Sequence, residues 1–416
     1  MLQGSLRRIA VAAALAAAVP GGGSAATLDD YGGPALESGR VLGLAGAYVG
    51  VGEGLAGASV NPASVAVRNR HLERPWDVDG VLTWYLPAAN ELGQLDFTND
   101  GVVDGRLTGA GNLLVGVGGQ AGRLGAGVVV RAWGITAQRP PFASSGVSTT
   151  DVSLSVGWSS LRDALVVGAA LTAAFGAVDV TPPGASASRL DYEARMLRLG
   201  ALYQPRGEPW RLGVALDTGA RASPRADRSA FPVATPDAFV FPWTLSVGAS
   251  AWLGPNARRY NEPSPFALAQ HPDWGEGPEW EPSTRLPVLV TAQLDLVGPA
   301  RGETLDSALG LGAMASGVRP SVVPRAGVEW ELSPRQLRAR AGTYLEPSRT
   351  GAGPRGHGTF GLELRIPFWP WDLQLAVGGD VAPRFRNVAL SIGFWSELGP
   401  APPPRLDVPA PEPDST

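Results

Sequence analysis

Alternation with a period of two residues recurs along the chain in segments of about ten residues. In "DVSLSVGW", Val152, Leu154, Val156 and Trp158 fall on one face, and Ser153, Ser155 and Gly157 on the other. "PWTLSVGASAW" sets Trp243, Leu245, Val247 and Ala249 against Thr244, Ser246, Gly248 and Ser250, and "NVALSIGFW" repeats the arrangement. Such runs read as strands with one apolar face. The pattern predicts strands over 79–86, 111–120, 122–133, 150–159, 163–175, 191–204, 209–218, 242–252, 286–297, 322–332, 336–345, 357–367, 371–380 and 386–396, fourteen in all.

The connections alternate too. Those at 87–110, 134–149, 176–190, 219–241, 298–321 and 346–356 are long, whereas those near 121, 161, 206, 334 and 368 are tight. An even strand number with this alternation is the habit of single-chain bacterial outer-membrane barrels, whose tight turns lie in the periplasm. A soluble sandwich also alternates. The small or polar second face, the aromatic residues ending the apolar faces and a secretory leader turn the apolar face outward, to lipid. The reading is an all-β, antiparallel transmembrane β-barrel of about fourteen strands, both termini periplasmic. The connection 253–285 is long where a tight turn is due. Its prolines and charges suit a solvated periplasmic insertion, with 307–317 as the other doubtful segment.

Composition removes several alternatives. Arg7-Arg8, the apolar run Ile9–Val19 and the small residues Ser24 and Ala26 make residues 1–26 a signal peptide. No later run reaches the roughly 18 apolar residues of a membrane helix. Cysteine is absent, which excludes disulfides and thiolate metal sites. All 34 basic residues are arginine and the formal charge is −4, with no basic stripe for nucleic acid. His71, His271 and His357 are far apart in sequence, and no hydrolytic motif stands out, so no cofactor, metal or enzymatic activity is expected. Asp29-Asp30, just after the leader, reads as solvated. The stretch after Trp395 holds seven prolines and reads as an extended tail, 397–416.

Residues 39–66, "GRVLGLAGAYVGVGEGLAGASVNPASVA", contain seven glycines. A phosphate-binding loop would need a following helix and parallel strand, which the sequence lacks. The stretch resembles the N-terminal signature of the FadL/PorV-type outer-membrane barrels, through Arg40, Gly43, Gly46, Ala47, Tyr48, Val49, Asn61, Pro62 and Ala63. It departs at Ala45, where the pattern has Gly, at Glu53-Gly54 in place of an acidic pair, and at Ser64. The resemblance implies that residues 27–78 fold into the barrel, 79–396, as a small plug. Glycine would serve close backbone approach there, and Leu42, Leu44, Tyr48, Val49, Val51, Leu55 and Val60 would anchor it.

With apolar faces outward, Arg325, Glu329, Glu331, Arg338, Arg340, Glu363 and Arg365 line the lumen. A tight hairpin near Ser333 sets Glu331 opposite Arg338 and Glu329 opposite Arg340, each pair stabilising by roughly 0.2–1 kcal/mol. These charges either satisfy one another in a filled barrel or line a ligand or ion path. The resemblance implies FadL-like passive transport of small hydrophobic compounds. The alternative is a PorV-like barrel that anchors secretion or cell-surface partners. The partners expected are outer-membrane lipid with either a small hydrophobic ligand or such proteins.

Overall fold

A computed structural model describes residues 27–30, 37–67, 74–87, 92, 94–103, 105–138, 143–160, 163–181, 183–184, 186–226, 235–271, 288–312, 314–333, 336–368 and 371–395. The leader 1–26 and the tail 397–416 lie outside the described residues.

Fourteen strands form the wall: β1 (Trp76–Pro87), β2 (Leu107–Ala121), β3 (Leu124–Ala137), β4 (Ser144–Ser160), β5 (Leu165–Thr181), β6 (Ser188–Tyr203), β7 (Trp210–Asp217), β8 (Thr244–Leu253), β9 (Val288–Val297), β10 (Ser321–Ser333), β11 (Leu337–Glu346), β12 (Arg355–Phe368), β13 (Trp371–Ala382) and β14 (Phe385–Trp395). Each pairs antiparallel with the next, and β14 returns to β1, from Asn387 opposite Pro87 to Trp395 opposite Asp79. The barrel is closed, so its wall presents no free edge. All fourteen predicted strands are present. Several run further at the long-loop end, as β4 does to Ser144, and β1 starts at Trp76 rather than residue 79. The apolar face ends near the lipid boundary, whereas ladder bonds need only a neighbouring backbone.

The apolar face is the outer one. Leu154, Val156 and Trp158 are 53%, 50% and 45% exposed, while the alternate Ser155 is fully buried. A continuous apolar belt of this kind suits lipid rather than water. Among the described residues no helix is long and apolar enough to span a membrane.

Five short strands build a lid at the loop end. Thr27–Asp29 runs parallel to Ala238–Phe241 and touches Gly302–Glu303, while Ala220–Pro224 and Ala315–Ser316 flank them. Leu28, Phe239, Leu305 and Leu309 close over Val178 and Tyr192 beneath. The doubtful 307–317 segment thus adds no wall strand.

Three expectations change. Asp29 and Asp30 are buried, not solvated, because strand pairing draws them into the lid. Arg349 grips Asp29 from Nε at 2.6 Å and Nη2 at 3.2 Å, with Ser316 Oγ at 2.8 Å. Second, Thr27 lies at the loop end and Trp395 at the tight-turn end, so the described chain begins and finishes at opposite ends of the barrel. An even strand count fixes the ends of the wall, not of a segment that traverses the lumen. Third, the insertion after β8 is not wholly solvated: a 3-10 turn, Ala257–Asn261, buries Tyr260 and Asn261 against the barrel floor.

Truncating Arg349 to Ala strands a buried carboxylate, at a cost of about 3–5 kcal/mol. Limited proteolysis should then cut the lid segments early while heat-modifiable migration of the barrel is retained. Protection equal to that of the unmodified protein would show that the clamp does not hold the lid.

Candidate functional site: the segment inside the lumen

Residues 37–67 lie within the barrel. Ser38 caps the short helix Gly39–Gly43, its Oγ accepting from the Val41 N–H at 3.4 Å. The chain turns at Ala45 and Gly46, both at positive φ (57° and 77°). Left-handed backbone costs a non-glycine residue roughly 1–2 kcal/mol, so Ala45 sits where the family pattern has Gly for a reason. Asn61 caps the 3-10 turn Pro62–Ala66: its Oδ1 accepts from Ala63 N–H at 3.1 Å, and its Nδ2 donates to Val49 O at 3.0 Å and to Ala201 O on β6 at 3.2 Å. Of the seven expected anchors, six are buried and Val60 is half-buried.

The segment winds along the inner wall, touching β13 and β14 at Gly39, β11 and β12 at Gly43, β7 at Val49, β6 at Asn61 and β4 at Ala66. Where it lies closest, the wall is glycine. Gly125, Gly157, Gly168 and Gly200 stand directly opposite one another across β3 to β6, Gly213 opposes Gly248 across β7 and β8, and Gly327 opposes Gly342 across β10 and β11. A Cβ on Gly213 would collide with the Val49 carbonyl, and one on Gly125 with that of Val65. The strand pattern hinted at this, since the small face of most strands carries a mid-strand glycine. Only the register aligns them.

On the tight-turn side of the segment four of the predicted lumen charges, Glu329, Arg340, Glu363 and Arg365, join Arg211, Glu53 and Arg40 in one alternating string. Arg211 Nη1 meets Glu53 Oε1 at 2.9 Å, and Arg40 Nη1 meets Glu53 Oε2 at 2.9 Å. Arg40 then grips Glu329 with two bonds, 2.9 and 3.0 Å. Arg340 bridges Glu329 and Glu363 at 2.6 Å each, and Arg365 closes on Glu363 at 2.7 Å. The hairpin register is as predicted, with Glu329 opposite Arg340 and Glu331 opposite Arg338, the latter pair at 3.5 Å. Arg325 belongs to a separate pair, with Asp295 at 2.6 Å, and donates to Ala45 O at 3.0 Å. These charges pair with one another and with the segment, apart from Arg340 Nη1, which is buried with no partner among the described residues.

Sequence reasoning missed Tyr260. Its ring stacks on Trp252 at 5.0 Å, the Arg211 guanidinium lies 3.9 Å from its centroid, and its hydroxyl bonds Ser250 Oγ at 2.8 Å. It also missed His357, which is held between Asp380 (2.7 Å) and Glu346 (3.0 Å) and stacked on Tyr344. Those partners come from the two strands on either side of it, β11 and β13, so no local spacing announces them.

Of the cavities that the described residues line along the segment, two lie on opposite sides of it and smaller ones lie beside Leu55 and Gly39. One of about 70 Å³ opens on the tight-turn side beside Arg40, Arg211 and Tyr260. The other, of about 230 Å³, lies on the loop side between the segment and the lid, bordered by Gly46, Val60, Trp133, Met196 and Phe241. Asp30 projects from the lid toward it, where burial, with the charge of Asp151 adding to it, pushes its carboxyl well above the ordinary carboxylate range.

Solved structures share this architecture. The chain matches the CymD monoaromatic hydrocarbon channel over 87% of its own length and 97% of that chain, with TM-score 0.53 and 14% identity. The Pseudomonas putida toluene transporter TodX matches over 90% of this chain and 100% of its own, with TM-score 0.53 and 12% identity. A Pseudomonas aeruginosa FadL homologue gives the same coverages, with TM-score 0.52 and 12% identity. The chain has the FadL-type barrel fold. No family model matches the sequence, and no curated protein matches it.

Replacing Gly213 with Val forces the Val49 backbone off the wall, an overpacking of about 1–3 kcal/mol. The barrel should still assemble, with residues 37–67 newly open to protease and leak of small solutes raised. Gly46→Leu should act alike, since a side chain there meets Arg325. Unchanged protection and permeability in both variants would contradict the packing described.

Proposed function

We propose that the protein is a passive outer-membrane channel for small hydrophobic molecules, in which residues 37–67 are the plug. The observation that carries this reading is a segment held across the lumen by non-covalent polar contacts, with a cavity on either side of it. A molecule entering from the loop end reaches the larger cavity, and release of the segment joins it to the smaller. Arg40, Gly43, Gly46, Tyr48, Asn61, Pro62 and Ala63 form and seat the plug, and the string from Arg211 to Arg365 locks it. The likeness to hydrocarbon channels, at low identity, supports a transporter rather than an enzyme. In this reading the tight turns and C-terminal tail face the periplasm, the leader is removed, and Thr27 sits near the outer surface. Lipid and a small hydrophobic ligand are the partners, with no nucleic acid or cofactor.

A second reading, the scaffold that binds secretion or surface proteins, draws on Val102 and Val318, which are 53% and 58% exposed at the loop end. Uptake separates the two. Cells producing the protein should accumulate a labelled monoaromatic hydrocarbon faster than cells lacking it, and Arg40→Ala should change that rate at equal outer-membrane abundance. Accumulation indifferent to the protein, together with a co-purifying partner, would favour the scaffold.

A further inference from the structure

The larger cavity is not a simple apolar pocket. Its lining carries five acidic side chains, Asp30, Glu37, Asp151, Asp217 and Asp295, against three guanidiniums, Arg131, Arg198 and Arg325, a formal excess of two negative charges with all five ionised and of one while the Asp30 carboxyl holds its proton. Two of the arginines are spent locally: Arg198 on Asp217 at 2.5 Å and Arg325 on Asp295 at 2.6 Å. The third, Arg131, divides itself between Glu37 (3.0 Å) and Asp151 (2.7 Å). One oxygen of Asp151 and one of Asp30 are left over. Both Oδ1 atoms are buried with no hydrogen-bond partner among the described residues, in residues only 7% and 8% exposed. Buried carboxylate oxygens rarely stay unpaired, and these two border the same cavity from opposite origins, β4 and the lid.

Beside the charged groups and a few polar side chains, part of the wall is apolar. Trp133, Met196 and Phe241 supply ring and thioether surface. A dry cavity of about 150 Å³ is enough for benzene, so 230 Å³ holds one ring with a short arm. We propose that this cavity is a binding site for a small organic ammonium, its cationic head bonded to Asp30 and Asp151 and its apolar body against Trp133, Met196 and Phe241. The head brings what the site lacks, N–H donors and positive charge. A carboxylate-headed molecule of the same size would face the unpaired oxygens and be rejected.

The proposal deepens the channel reading by naming a class of cargo, yet binding to purified protein can be measured without transport. The probes are 2-phenylethylammonium and 3-phenylpropanoate, titrated calorimetrically into detergent-solubilised protein whose folding is checked by heat-modifiable migration. The ammonium should bind saturably and at least tenfold more tightly than the carboxylate. Asp30→Asn and Asp151→Asn should each weaken it tenfold or more. Equal binding of the two probes, no saturable binding of the ammonium by the unmodified protein, or ammonium binding unchanged in both variants would overturn the site. The probe comparison stands on the unmodified protein even where a variant misfolds. Hydrocarbon uptake retained by a barrel that ignores the ammonium would sink this site and leave the channel reading intact.

Discussion

The structure depends on one steric fact: between the backbone of residues 37–67 and the wall there is no room for a Cβ. Cross-strand glycines on β3 to β8 and on β10 and β11 form a shallow track, and the segment lies in it with carbonyls against Cα atoms. Had the track carried ordinary side chains, the segment would be pushed toward the barrel axis. Its placement against the wall leaves space on each side of it, which is where the two cavities are.

What holds the segment in the track is polar. Arg40 and Glu53 insert into a string of wall charges, and Gln293 Oε1 accepts from the N–H groups of both Tyr48 and Val49 at 2.9 Å. Each internal carboxylate of the string has two arginines, so losing one contact does not abandon a charge, and the penalty stays below the about 3–5 kcal/mol of a stranded buried ion. Individual hydrogen bonds of this kind contribute about 1 kcal/mol net. A lock built from many such terms can yield without loss of the wall, whose strands satisfy their own backbone groups.

Much of this was legible in the sequence. Period-two alternation located every wall strand, because one face must meet lipid and the other the lumen. The Glu329–Arg340 pairing was legible because a tight hairpin fixes register. Contacts between distant segments were not. The Asp29–Arg349 clamp joins residues 320 positions apart, and nothing in "TLDD" distinguishes a lid strand from a solvated arm. Tyr260 sits among prolines and charges that read as solvent-exposed; its burial follows from Trp252 and Arg211, which only the closed barrel brings beneath it.

The central claim, that the segment occupies this track and must leave it for passage, can be tested by tethering. The chain has no cysteine, so an introduced pair is unambiguous. A Cβ on Gly39 would stand 3.6 Å from that of Ala376 on β13, within the about 3.5–4.5 Å that a disulfide requires, once the Ser391 hydroxyl, 2.5 Å from that position and free to rotate, turns aside. In the double variant Gly39→Cys with Ala376→Cys, the account predicts a bond that forms on oxidation, hydrocarbon uptake abolished while it is intact, and uptake restored by reductant. Uptake equal in the oxidised and reduced forms would contradict it.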